Sequence, residues 1–285
     1  MAARAITEII QARATSDGDG VRLLRVFGGR GLERFDPFLM LDEFGSLEAA
    51  DYIGGFPPHP HRGFETVTFM LEGKMEHRDH LGNVGLLSDG GVQWMTAAKG
   101  IIHSEMPKQT EGRMRGFQLW LNLPAAEKLK PAHYLDVDAK DIPRYAFEGV
   151  EIKAIAGNTT VNGAAITGRF TDVITQPIFL DLAIRAGAEI VIPTALNATA
   201  LVYVYEGAIT VADAVAPIKS QQMARFGEGG ELRFRNSTTA PARCIVLMAK
   251  PLGEPIVQYG PFVMNTAAEI EQALEDYKLG RLTDE

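Results

Sequence analysis

The chain has 285 residues, 46% of them hydrophobic and 22% charged, which is apolar material enough for the cores of two ordinary globular domains. Its formal charge of −8 comes without any Lys/Arg-rich run, which argues against a direct nucleic-acid face, because neutralising phosphates needs clustered cations. No stretch approaches the ~18 apolar residues of a membrane span, the N-terminus has no apolar leader core, and the single Cys244 cannot form an internal disulfide. The expectation is a soluble, cytoplasmic protein with no membrane partner.

In chain order, residues 5–13 read as a strand, Asp17-Gly18-Asp19-Gly20 as a turn and Val21 to Phe27 as a second strand. Gly28-Gly29-Arg30-Gly31 lacks the spacing of a phosphate-binding glycine loop and reads as a turn. Residues 36–62 carry four prolines and no clear periodicity, which predicts a long ordered loop of the kind that usually serves a function. From Phe64 the pattern becomes strand-rich: 66–71, a Glu72-Gly73 turn, 74–79, 85–87, 92–95 and 116–121, with turn signals every eight to twelve residues. That spacing predicts an all-β barrel or sandwich. The proline-containing stretch 122–144 predicts a boundary, giving domains 1–134 and 135–285. The second block has its strongest strands at Ile178 to Ile184, Glu189 to Ile192, Leu201 to Tyr205 and Cys244 to Met248, where Cys244 reads as a small buried hydrophobe. Thr266 and Glu269 fit a capping box, Ile270, Leu274 and Tyr277 share a helical face, and Gly280 marks a stop, so the chain ends in an amphipathic helix.

Phe69 to Met75 can be laid over Tyr203 to Ile209, an offset of 134, each a strand, a Glu-Gly turn and a strand. This predicts two copies of one β-domain. The same offset carries His59 and His61 onto Pro193 and Ala195, and all six histidines lie between positions 59 and 133. Only the first copy can therefore offer a histidine metal site.

His59 and His61 are two residues apart, as are His103 and Glu105. Residues i and i+2 of a strand point to one face, so two neighbouring strands would bring three imidazoles and a carboxylate together. That donor set suits Fe, Mn, Ni, Cu or Zn rather than Ca or Mg, and in an octahedral metal it leaves two positions open. A purely structural zinc site is disfavoured, since such sites prefer closed, Cys-rich tetrahedra. His77 and His80, beside a turn rich in polar residues, are expected in solvated positions, and His133 lies in the linker without a role. Glu65 is read either as a partner orienting an imidazole or as a structural hydrogen-bonding group. Phe56, Phe64, Trp94, Met95, Ile101 and Ile102 flank the ligands and are expected to supply barrel core, some of them walling a pocket for a flat apolar ligand.

The segments Asp36-Pro37-Phe38-Leu39, Pro58-His59-Pro60-His61-Arg62-Gly63-Phe64-Glu65-Thr66-Val67, Gln93-Trp94-Met95-Thr96-Ala97, Gly100-Ile101-Ile102-His103-Ser104-Glu105 and Gly260-Pro261-Phe262-Val263-Met264-Asn265 resemble the pirin family of the cupin superfamily. The family often has Gly-Arg-Gly where this chain has Ala98-Lys99-Gly100. The resemblance implies a bicupin of two β-barrels with one Fe(II) in the N-terminal barrel, held by His59, His61, His103 and Glu105. It implies two functions. One is a quercetin (flavonol) dioxygenase using O2, with Glu105 as general base. The other is an iron-dependent, redox-sensing cofactor that binds a protein partner.

Overall fold

Strands dominate, as the closely spaced turn signals predict, and the helix Ala267–Lys278 is the one α-helix among the described residues. The computed structural model describes residues 2–29, 34–211 and 216–284, so the turn expected at Gly28-Gly29-Arg30-Gly31 lies partly outside the described residues. No helix among the described residues is long and apolar enough to cross a membrane. The chain forms two β-barrel units, one from Ala14–Arg34, Phe38–Ala139 and Leu252–Glu285, the other from Met1–Arg13, Phe35–Pro37 and Lys140–Pro251. The crossover at Ala139/Lys140 falls near the boundary read from sequence, but the chain ends are exchanged relative to that reading. The strand Ile6–Gln11 pairs with Gln222–Phe226, and the C-terminal helix belongs with the first barrel. Pairing across more than two hundred residues leaves no local mark in a sequence.

In the first barrel a seven-stranded sheet runs in the order His133–Val137, Val92–Thr96, Phe64–Glu72, Met114–Asn122, Phe38–Ser46, Val21–Phe27, Arg13–Asp17. A four-stranded sheet has the order Phe56–His61, Ile101–Pro107, Met75–Asp79, Val84–Leu87. The loop expected over 36–62 is thus largely strand. Phe38–Ser46 has its first seven residues buried, and a strand buried on both faces shows no alternation to read. Phe56–His61 holds Pro57, Pro58 and Pro60 because it is an edge strand, where a missing N–H disrupts no ladder on its open side.

The second barrel repeats this order: Ile6–Gln11, Gln222–Phe226, Thr199–Glu206, Ala242–Ala249, Ile178–Ile184, Val150–Ala156, Arg144–Phe147, with a smaller sheet of Glu189–Pro193, Glu231–Arg235, Ala208–Val211 and Ile218–Lys219. The sequence repeat is therefore a repeat of topology. Phe64–Glu72 and Thr199–Glu206 hold the same place, and each ends in a Glu-Gly turn whose glycine (Gly73, φ +103°; Gly207, φ +70°) takes a left-handed conformation. The counterpart of Phe56–His61 is Glu189–Pro193. Its inward residues are Ile190 and Ile192, opposite Phe234 and Leu232, all in the apolar core. Counting 134 residues lands slightly beyond them, on Pro193 and Ala195.

The helix has the expected capping box, with Thr266 accepting from the Glu269 N–H and the Glu269 carboxylate accepting from the Thr266 N–H. Its inward face differs from the one read from sequence: Ile270 and Ala273 are buried, while Leu274 and Tyr277 are exposed. Electrostatics turns the helix. Arg62, buried beside His61, donates to Asp276 Oδ2 at 2.7 Å and to the Leu282 carbonyl at 3.1 Å, drawing the Asp276 side of the helix inward.

Gly63 completes this junction. It has φ +91°, donates to the Ala98 carbonyl (2.8 Å), and accepts from the buried Lys128 ammonium (2.5 Å). A Cβ at Gly63 would collide with the Val263 carbonyl oxygen, whereas one at Gly82, also left-handed, would meet open space. Gly63→Ala is expected to cost at least about 2 kcal/mol, and Gly82→Ala about 1 kcal/mol. Urea unfolding of the two variants checks this, and equal losses would show that no close approach holds the C-terminal segment at Gly63.

Candidate metal centre

The two strands that carry His59, His61 and His103 are hydrogen-bonded neighbours. Phe56–His61 pairs antiparallel with Ile101–Pro107, placing His103 opposite His59 and Ile101 opposite His61. The rings of His59, His61 and His103 converge, with centroids 4.7 Å (His59–His61), 4.3 Å (His59–His103) and 4.9 Å (His61–His103) apart. One nitrogen from each lies within 4.8 Å of the others. His61 and His103 are buried, and His59 is half-buried and provides the solvent-facing side.

The carboxylate of Glu105 is not part of this cluster. The ladder shifts between His103 and Glu105, so that Glu105 faces Phe56, and such a bulge re-aims the side chain that follows it. Glu105 is buried and its Oε1 accepts from the Thr68 hydroxyl at 3.0 Å, while Thr68 Oγ lies 2.6 Å from the Gln118 side-chain oxygen position. A hydroxyl has a single proton, so a Gln118 amide rotated to present its NH2 completes a chain from Gln118 through Thr68 to Glu105. Burial pushes the Glu105 carboxyl up to about 7, with the Thr68 hydrogen bond pulling partly back.

The imidazoles are held neutral and hence able to ligate. Burial, then the neighbouring His59, keeps His61 well below the usual imidazole range, and burial followed by His61, His59 and His77 does the same for His103. His59 Nδ1 donates to the Pro57 carbonyl at 2.8 Å, which leaves Nε2 with its lone pair. His103 Nε2 is buried with no hydrogen-bond partner. Neutral nitrogen donors gathered at one point, one of them an orphaned buried atom, fit a divalent transition metal.

Several neighbours escaped the sequence reading. His77 is fully buried rather than solvated, its ring stacked on Tyr134 (4.3 Å, 16°) and its Nδ1 3.3 Å from His103 Nδ1. The signal was present: Met75 and His77 alternate with Lys74, Glu76 and Arg78, the pattern of a half-buried strand. His80 is exposed as expected, and His133 is exposed on a strand rather than in a linker. Trp120 was also missed; its ring lies 5.3 Å from His61 and 4.4 Å from Phe64. Phe64, Met95 and Ile101 are buried apolar residues as expected. Ala98, where the family often has glycine, is buried at φ +40°.

Glu65 does not reach the cluster by any hydrogen bond of its own; its Oε1 accepts from the Thr96 hydroxyl at 2.7 Å. Burial raises its pKa to about 7, against the Thr96 hydroxyl and Trp94 indole, which lower it. A folded-state value above the unfolded 4.5 gives a contribution to stability that is full below about pH 4.5 and is lost as pH rises through about 7. Glu65→Gln should therefore gain about 2 kcal/mol relative to the unsubstituted protein between pH 5 and pH 8. Urea titrations at both pH values measure this, and a pH-independent difference would contradict it.

Comparison with known proteins agrees with this geometry. The pirin family profile matches residues 20–121, and the profile of the pirin C-terminal cupin domain matches residues 179–283. A Pseudomonas aeruginosa protein provisionally named quercetin 2,3-dioxygenase is 54% identical over 98% of both chains. Rat pirin is 37% identical over 96% of this chain and 91% of its own. Among solved structures, quercetin 2,3-dioxygenase from Acinetobacter baumannii superposes with a TM-score of 0.87 at 33% identity, covering 99% of each chain. With two cupin barrels, a histidine cluster in the first and these relatives along nearly its whole length, the chain belongs to the pirin family.

Proposed function

We propose that the protein is a metal-dependent dioxygenase that opens the central ring of flavonols such as quercetin with O2. The observation that carries this reading is the buried three-imidazole cluster with its orphaned nitrogen; the name of the Acinetobacter baumannii structure points to the substrate. We assign one Fe(II) to the cluster, held by His59, His61, His103 and Glu105. Glu105 is included because a buried carboxylate one bulge away from three neutral imidazoles is the group a divalent cation would draw in and neutralise. When bound, the metal supplies Lewis acidity at the flavonol oxygens and a meeting point for O2.

The chain's own residues do the rest. Glu105 accepts the proton of the flavonol 3-hydroxyl, and the Thr68 hydroxyl steadies the carboxylate in this role. Phe64 and Trp120, packed against His61, offer an apolar wall to a flat aromatic ring system. Thr66, Thr68 and Gln93 are buried polar side chains suited to the hydroxyl groups of such a substrate. Burial of His61, His103 and Glu105 excludes bulk water from the reacting face.

Iron-loaded protein mixed with quercetin in air is expected to bleach the flavonol absorbance at least about 100-fold faster than His61→Ala or the metal-free protein. Bleaching no faster than in those two controls would overturn the assignment.

A further inference from the structure

A metal-binding imidazole is steadied by a hydrogen bond on the nitrogen that faces away from the metal, because that bond fixes both tautomer and ring orientation. For His59 the partner is the Pro57 carbonyl. His61 Nδ1 is buried without a hydrogen-bond partner. For His103 the partner is a side chain, His77, whose Nδ1 lies 3.3 Å from His103 Nδ1.

Two facing nitrogens share one proton, and both ends of the pair indicate where it sits. If His77 donated, His103 would carry its proton on Nε2, in the midst of the cluster, and the His77 Nε2 lone pair would face a carboxylate. If His103 donates, its Nε2 is free to ligate, and His77 carries its proton on Nε2. That nitrogen lies 3.7 Å from Asp79 Oδ2, an electrostatic approach between two fully buried side chains. Asp79 is itself pinned, accepting from the Leu81 and Asn83 N–H groups (3.0 Å each) and from Asn83 Nδ2 (2.8 Å). Tyr134, stacked on the other side, keeps the His77 ring from turning away. The strand register makes the arrangement unavoidable, with Glu105 opposite His77 and His103 opposite Asp79 on adjacent strands.

We propose that His77 is the positioning residue of the metal centre: it accepts the His103 Nδ1 proton, locks His103 in the tautomer that ligates through Nε2, and couples that ligand to the Asp79 carboxylate. The inference rests on reading the three imidazoles as a metal site, and its test separates the two. Co(II) is titrated into metal-free protein and followed by its visible absorption. His77→Phe keeps a ring against Tyr134 but offers no acceptor; His77→Asn places an amide oxygen near the Nδ1 position.

The Phe variant is expected to bind Co(II) about 10–100-fold more weakly, with altered bands, and the Asn variant to stay within about 3-fold of the unsubstituted protein. Equal affinity and spectrum in the Phe variant, or equal losses in both variants, overturn the proposal. Absence of Co(II) binding by the unsubstituted protein overturns the metal reading and the proposal with it. A measurement independent of the variants is the imidazole 15N spectrum of the unsubstituted metal-free protein. His103 is expected to be protonated at Nδ1, and protonation at Nε2 overturns the proposal.

Discussion

The first barrel is built around a costly act of desolvation. Three imidazoles and a carboxylate are taken from water into one wall of a β-barrel, and burial is the leading cause of each of their displaced pKa values. Such a set is tolerable only when the backbone fixes it, because loosely held polar groups would rotate back toward solvent. Antiparallel pairing does the fixing. The register that sets His103 opposite His59 determines the ring separations, and a slip of one residue would turn each of these side chains to the other face.

The second barrel shows what the same framework becomes without that requirement. At the positions of His59, His61 and the strand opposite stand Ile190, Ile192, Leu232 and Phe234. Where the first barrel has Thr68 between Gln93 and Gln118, the second has Val202 between Ala224 and Val246. Cys244, fully buried in this core with its thiol pushed up by desolvation, behaves as the small hydrophobe its neighbours imply. One interior carries polar side chains, and the other is filled by apolar ones.

The C-terminal segment is tied to the strand Phe56–His61 immediately after His61. Arg62 reaches Asp276 and Leu282, Gly63 lies tight against Val263, and Lys128 bridges the Gly63 and Val263 carbonyls. Burial lowers the Lys128 ammonium to about 8, and three oxygen acceptors keep it satisfied in that setting. These contacts brace the His61 end of the strand through groups distant in sequence.

Local spacing was enough to read the strand-rich architecture and the capping box of the helix, which depend on residues within a few positions of one another; the duplication showed as a motif repeated 134 residues on, and the histidine cluster as two pairs with i, i+2 spacing. The prolines of the strand Phe56–His61 hid its nature, because only the assembled sheet shows that it is an edge. Likewise, Leu274 and Tyr277 satisfy the helical period, but the Arg62–Asp276 pair turns another face inward. The exchange of chain ends between barrels, the displacement of Glu105 by a bulge and the approach of His77 to His103 are products of tertiary structure. Each depends on which strands become neighbours, and strand pairing is a long-range choice that no single stretch of sequence encodes.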